Sequence, residues 1–121
     1  MESDDLSADD LLPLQPATFR ILMALSDEDR HGYAIIQEIA ERTNGAIRVS
    51  AGTLYRSLQR MLEQDLIEET EDRPAPDEDD QRRRYYRITK FGKEVARAEA
   101  RRLQDLVRLA RASGFVPRNA S

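Results

Sequence analysis

Between residues 50 and 63 the chain sets Gly52, Thr53, Arg56, Gln59, Arg60 and Glu63 on one side of a helix turning about 100° per residue. The chemistry these side chains support is recognition, not bond breaking. Arginine and glutamine carry forked donors and acceptors that match base edges and phosphates. A glycine on the exposed face near the helix start lets another molecule approach the backbone closely. Ser50, just ahead, is a good N-cap, because its hydroxyl accepts from a free amide of the first turn. Leu54, Leu58, Met61 and Leu62 fill the opposite arc, about 100° wide, as an apolar stripe. Tyr55 sits on the flank with two readings open: packing, or a hydroxyl that reaches a phosphate.

Two further groups have the same kind of chemistry. His31, Gly32 and Tyr33 fall at the start of a predicted helix, where free amides and the positive dipole end form a phosphate seat. His31 reads equally as a simple cap or a surface residue. Arg82, Arg83 and Arg84, with Arg87 beyond, stand on the ascending arm of a predicted hairpin, where guanidinium groups suit a phosphate backbone or a minor groove. The competing reading is that they neutralise Asp77, Glu78, Asp79 and Asp80 in the same loop. Those four acids lack the spacing and glycine of a calcium loop, and a solvated loop is the preferred reading. No GxSxG, P-loop or HExxH is present, and one histidine cannot supply a multi-histidine metal site. No catalytic residue, cofactor or metal is expected.

Stepwise hydrophobic spacing gives the elements that must hold these groups. Residues 1–12 are polar and acidic and read as a flexible arm. Pro16 suits the first turn of helix one, predicted over 17–26 with Phe19, Leu22, Met23 and Leu25 as its apolar surface. Helix two is predicted from Arg30 or His31 to Thr43, with Tyr33, Ile36, Ile39 and Ala40 at helical spacing, and Asn44-Gly45 ends it. The recognition-type helix at 50–64 follows after Ile47 and Val49. Strands are predicted at 65–71 and 84–89, joined by a long loop with Pro74, Pro76 and the acids, which makes a wing. A last helix runs from Lys90 or Phe91 to about Ser113, before Gly114. Its apolar residues spread over more than one side, so it needs a second protein surface. Phe91, Val95, Leu103, Leu106, Val107, Leu109 and Ala110 are the candidates for that interface.

The totals agree with one small domain of 121 residues that benefits from a partner. There is no cysteine, which removes disulfides, thiolate metal sites and cysteine nucleophiles. No apolar run approaches the roughly 20 residues needed to span a bilayer, and the acidic start has the wrong charge for a signal peptide. The expected location is cytoplasmic, with no membrane contact. Net charge is −4, but it is unevenly spread: −5 over residues 1–10, +1 over 11–62, −9 over 63–80 and +8 over 81–111. The acid sits in segments of flexible composition and the base in predicted folded ones, so the average conceals basic surfaces.

Taken together, His31-Gly32-Tyr33-Ala34-Ile35, Ser50 through Leu58, Leu66-Ile67, Arg84 through Thr89, and Gly92 resemble the PadR-like transcriptional regulators over about residues 11–113. The resemblance implies a mainly α fold with a small β-hairpin: a winged helix-turn-helix over 13–89, a C-terminal dimerisation helix over 90–114, and a tail at 115–121. It implies a homodimer on double-stranded DNA, usually repressing transcription, with Tyr55 and residues 50–60 in the reading element and 82–84 in the wing. The single C-terminal helix looks like the compact subgroup. A small-molecule effector is possible, but there is no Trp to build an aromatic stacking site at the dimer interface. A winged-helix protein–protein interaction module is the alternative reading.

Overall fold

The structure, a computed structural model, describes residues 7–70 and 84–117. The predicted loop, with Arg82, Arg83 and the acids at 77–80, therefore lies outside the described residues. The chain enters through a 3-10 turn at Ala8–Leu11, which corrects the expectation of an unstructured arm up to residue 12. The Ser7 amide donates to the Asp10 carboxylate at 3.0 Å. Ala8, Leu11 and Leu12 pack against the core, and that apolar burial holds a segment whose composition reads as solvated.

Helix α1, Pro16–Ala24, starts on its proline as expected and buries Thr18, Ile21, Leu22 and Ala24. Its inward face is thus turned from the predicted one: Phe19 is half-buried and Met23 exposed, whereas Ile21 is fully buried. Helix α2, Gly32–Arg42, is capped by His31, whose Nδ1 accepts from the Ala34 amide at 3.3 Å. The helix ends where Asn44 (φ 53°) and Gly45 (φ +82°) turn left-handed, and the Gly45 amide closes on the Ala40 carbonyl at 2.7 Å. Helix α3, Ala51–Glu63, begins at Ser50, whose hydroxyl accepts from the Thr53 amide at 3.1 Å. Leu54, Leu58 and Met61 are buried as the wheel predicts, and Leu62 is half-buried.

Among the described residues the sheet has three strands, where the sequence predicts two. The predicted pair appears as β2, Ile67–Thr70, and β3, Tyr85–Ile88, antiparallel with Ile67 opposite Ile88 and Thr70 opposite Tyr85. The third is the two-residue β1, Arg30–His31, which pairs with the other edge of β3 and puts β3 in the centre. Two residues are too few to show alternation, so nothing in the local pattern announces β1.

Helix α4, Lys90–Ala112, is tied to this sheet at its start. The Thr89 hydroxyl accepts from the Gly92 amide at 2.9 Å and lies 2.7 Å from the Asp65 carbonyl, to which it donates. A Cβ on Gly92 would collide with the Leu66 carbonyl and meet Ile88 Cγ1 at 2.9 Å, so the helix passes the strand junction with no room for a side chain. Val95 is fully buried in the core shared by α1, α3 and the sheet. One turn on, Glu99 is 3% exposed and forms a fork with Arg102, at 2.8 and 2.9 Å. That hydrogen-bonded guanidinium, together with the Leu14 amide, holds the Glu99 carboxyl below its ordinary pKa despite burial.

Candidate nucleic-acid interface

Amphipathicity decides which side of α3 faces out, and the core decides how firmly it is held. With Leu54, Leu58 and Met61 locked inside, Gly52, Arg56, Gln59 and Arg60 are exposed and Thr53 is half-buried. Ser50 is exposed too, with its hydroxyl committed to the cap. Arg56 reaches Thr53 Oγ1 at 3.5 Å, and Gln59 donates to Glu63 at 3.3 Å; both are weak exposed contacts that a ligand can replace.

Tyr55 is half-exposed at 52%, and its position fills a gap the sequence left open. A Cβ on Gly32 would lie 2.5 Å from the Tyr55 hydroxyl oxygen and 3.2 Å from Leu54 Cδ2. The phenol therefore lies over the start of α2, where only a glycine fits, and still shows half its surface to solvent. Packing and exposure coexist in this one ring. Tyr33, next to Gly32, is 63% exposed, so it stands outside the core that its helical spacing with Ile36 and Ile39 suggests. His31 is half-buried, capping α2 and meeting the Tyr85 ring edge-on at 5.4 Å. The cap reading of His31 is the one the geometry supports.

Between α3 and the wing runs a groove of about 460 Å³ lined by Tyr55, Leu58, Gln59, Leu62, Glu69, Arg84 and Tyr86. Arg84 is exposed on its rim, paired with Glu69 across the strands at 3.2 Å. The pairing of wing arginine with acid is real here, but its partner is Glu69. Arg87 pairs with Asp29 at 3.0 Å and so ties the wing to the segment before β1. Burial pushes the Tyr86 phenol above its ordinary pKa.

The arginines of α2, of α3 and of the segments leading into them divide into two sets. Arg30 and Arg42 are spent on Asp27, Glu28 and Glu38 at 2.6–3.6 Å, a network that fixes the start of α2. Among the described residues, Arg48, Arg56 and Arg60 have no carboxylate partner. Arg48 lies outside every motif in the sequence, and its signal was only that of one more basic residue. Among the described residues no group of three His, Cys, Asp or Glu side chains could hold a metal ion, and no helix is long and apolar enough to cross a membrane.

The seven residues proposed for pairing do not share one environment. Val95 is removed from that set, because it is fully buried in the core of the chain itself. Phe91 is half-buried against the same core. Leu103 and Ala110 are half-buried, while Leu106 (48%), Val107 (46%) and Leu109 (63%) are exposed. The unpartnered apolar surface is thus the C-terminal half of α4, beside exposed Met23 of α1.

Comparison with known proteins agrees with this geometry. Residues 21–98 match the model of the transcriptional regulator PadR-like family. A Lysinibacillus sphaericus protein described as uncharacterized protein X is 40% identical over 73 residues, which cover 60% of this chain and 64% of that protein, less than two thirds of its length. A transcriptional regulator from Clostridium thermocellum superposes with a TM-score of 0.70 at 23% identity, over 93% of this chain and 99% of that one. Bacillus subtilis PadR, in complex with operator DNA, gives a TM-score of 0.59 at 17% identity, over 71% of this chain and 47% of that one. At these identities the two structures establish the winged-helix fold, and the family model covers the helices, wing and first turns of α4 that the expected motifs occupy. The chain belongs to the PadR-like family of transcriptional regulators.

Proposed function

We propose that this protein binds operator DNA as a homodimer, reads bases with α3, and represses transcription. The observation that carries the reading is the outer face of α3, where Arg56, Gln59 and Arg60 are exposed, rigidly backed and free of carboxylate partners among the described residues except for Gln59 to Glu63. Such a face supplies bidentate donors for base edges and charge for phosphates. The operator complex of B. subtilis PadR supports the same partner for this fold. Exposed Leu106, Val107 and Leu109 support the pairing, since burying a leucine is worth about 1.5–3 kcal/mol. Repression follows from occupancy of a promoter by such a dimer, and any small-molecule effector would act by changing the spacing of its two α3 helices.

The test joins both parts of the proposal. Leu106→Asp alters an exposed position, so the subunit keeps its fold while the paired surface acquires a charge. Light scattering is expected to show a monomer, and fluorescence anisotropy a large loss of operator affinity, because one half-site no longer assists the other. A variant that remains dimeric at low micromolar concentration removes the assignment of the interface. Wild-type protein that captures a protein partner and binds no duplex at low salt would favour the interaction-module reading instead.

A further inference from the structure

The second surface beside α3 that combines an aromatic ring with an uncompensated charge is the outer side of α2. A groove of about 690 Å³ runs along it, lined by Tyr33, Ile36, Gln37, Ala40, Glu41 and the turn that leads to Arg48. Arg48 is exposed, two residues before the N-cap of α3, and its guanidinium comes within 3.7 Å of the Cβ position at Gly45. Its neighbours in the fold make the contrast plain. Arg42, six residues earlier at the end of α2, is held by Glu38 at 2.6 Å, whereas Arg48 has no carboxylate partner among the described residues.

We infer that Arg48, with Tyr33 and Gln37 along the same groove, is a phosphate-binding surface that takes the DNA backbone flanking the bases read by α3. The inference rests on the proposed DNA binding and extends its contact surface beyond α3 and the wing. Continuity carries it: the Tyr55 phenol lies on Gly32, Gly32 adjoins Tyr33, and Tyr33 lines the groove that ends at Arg48. The exposed ring of α3 thus packs on the start of the same helix whose outer groove ends at Arg48. Charge carries it as well. A guanidinium left without an acid on a face that meets a polyanion gains a bidentate phosphate contact and releases counterions. Tyr33 and Gln37 are both exposed and supply neutral donors suited to phosphate oxygens, while Glu41, the one acid of the lining, forms no ion pair with Arg48.

A phosphate contact has a signature that a base contact or a structural role lacks. Each one adds about 0.9 to the slope of log affinity against log salt, so removing it from both subunits flattens the slope by about 1.8. Arg48→Ala and Arg48→Gln are to be measured by anisotropy on the selected operator and on a random duplex between 50 and 200 mM salt, an interval in which about 6–10 phosphate contacts change affinity by about 10³–10⁵. The expected result is a flatter slope and an equal fold-loss on both duplexes, with the slope restored in Arg48→Lys. An unchanged slope in both variants overturns the inference, and so does a loss confined to the operator, which is base reading. Failure of the wild-type protein to bind either duplex is a different outcome, seen before any variant is made, and it overturns the proposed function itself.

Discussion

Glu99 is a buried carboxylate among the described residues whose titration is tied to folding. Its folded-state pKa lies below the ordinary 4.5, first because Arg102 hydrogen-bonds the carboxylate and further because of the Leu14 amide. The unfolded chain therefore binds the proton more readily than the folded one. The resulting stability is complete above the unfolded value of 4.5 and disappears as pH falls through the folded-state value. Urea denaturation should show Glu99→Gln less stable at pH 7 by about 1.5–3 kcal/mol, the range for hydrogen bonds to charged groups. The difference should begin to shrink as pH falls below 4.5, where the unfolded carboxyl takes up its proton first, and should be gone once the folded carboxyl is protonated as well; a difference that stays constant would assign the effect to packing alone. The residue was not legible in the sequence. An acid and an arginine three apart on a helix read as a solvated pair, and only the approach of the segment at Leu14 makes Glu99 a buried one. Leu54, Leu58 and Met61 were legible because they are spaced for burial on a single helix and need no distant element to explain them.

Elements follow the same division between local and distant causes. α2, α3 and α4 have their caps written locally, at His31, Ser50 and Thr89, and the spacing of apolar residues fixes their lengths. β1 and the turn at Ala8–Leu11 exist through partners far along the chain, β3 and α4, and no local pattern encodes them. At the junction of wing and α4, Gly92 passes directly beneath Leu66 and Ile88 with no room for a side chain. Gly92→Ala should force these apart at a cost of about 1–3 kcal/mol, the range for overpacking. A fall in the urea midpoint at unchanged slope is the expected result. Equal stability of the variant would mean that the wing base yields without strain. Arg84 of the wing meets Glu69 of β2, since the strands bring residues 69 and 84 together, whereas Arg82, Arg83 and the acids at 77–80 lie outside the described residues.

At the scale of the whole molecule, charge is partitioned by the fold. Arginines near α2 and the wing base are consumed by Asp27, Asp29, Glu38 and Glu69, so the overall charge of −4 coexists with exposed arginines at 56 and 60 on α3, and at 48 before it, that meet no carboxylate among the described residues. Composition does not reveal that face, because it depends on which acids each arginine meets. The apolar half of α4 is the other feature of this scale. A domain of this size buries only a modest core, and Leu106, Val107 and Leu109 stay exposed, the apolar area that the proposed dimer would bury. Two subunits joined there would present two copies of α3 to two half-sites, with a separation near one helical turn of DNA or a multiple of it.

The most direct test of the central claim is selection of genomic fragments by the purified protein, followed by affinity measurements of wild type and Arg56→Ala on the selected site and on random duplex. The account predicts enrichment of a two-fold-symmetric site that the wild type prefers over random DNA, with strong salt dependence on both. It further predicts that Arg56→Ala costs about 1–3 kcal/mol on the selected site and relaxes the preference at one position of each half-site. A protein that enriches no sequence, or an Arg56→Ala, Gln59→Ala double variant that binds the selected site as tightly as wild type, would contradict the claim that α3 reads DNA.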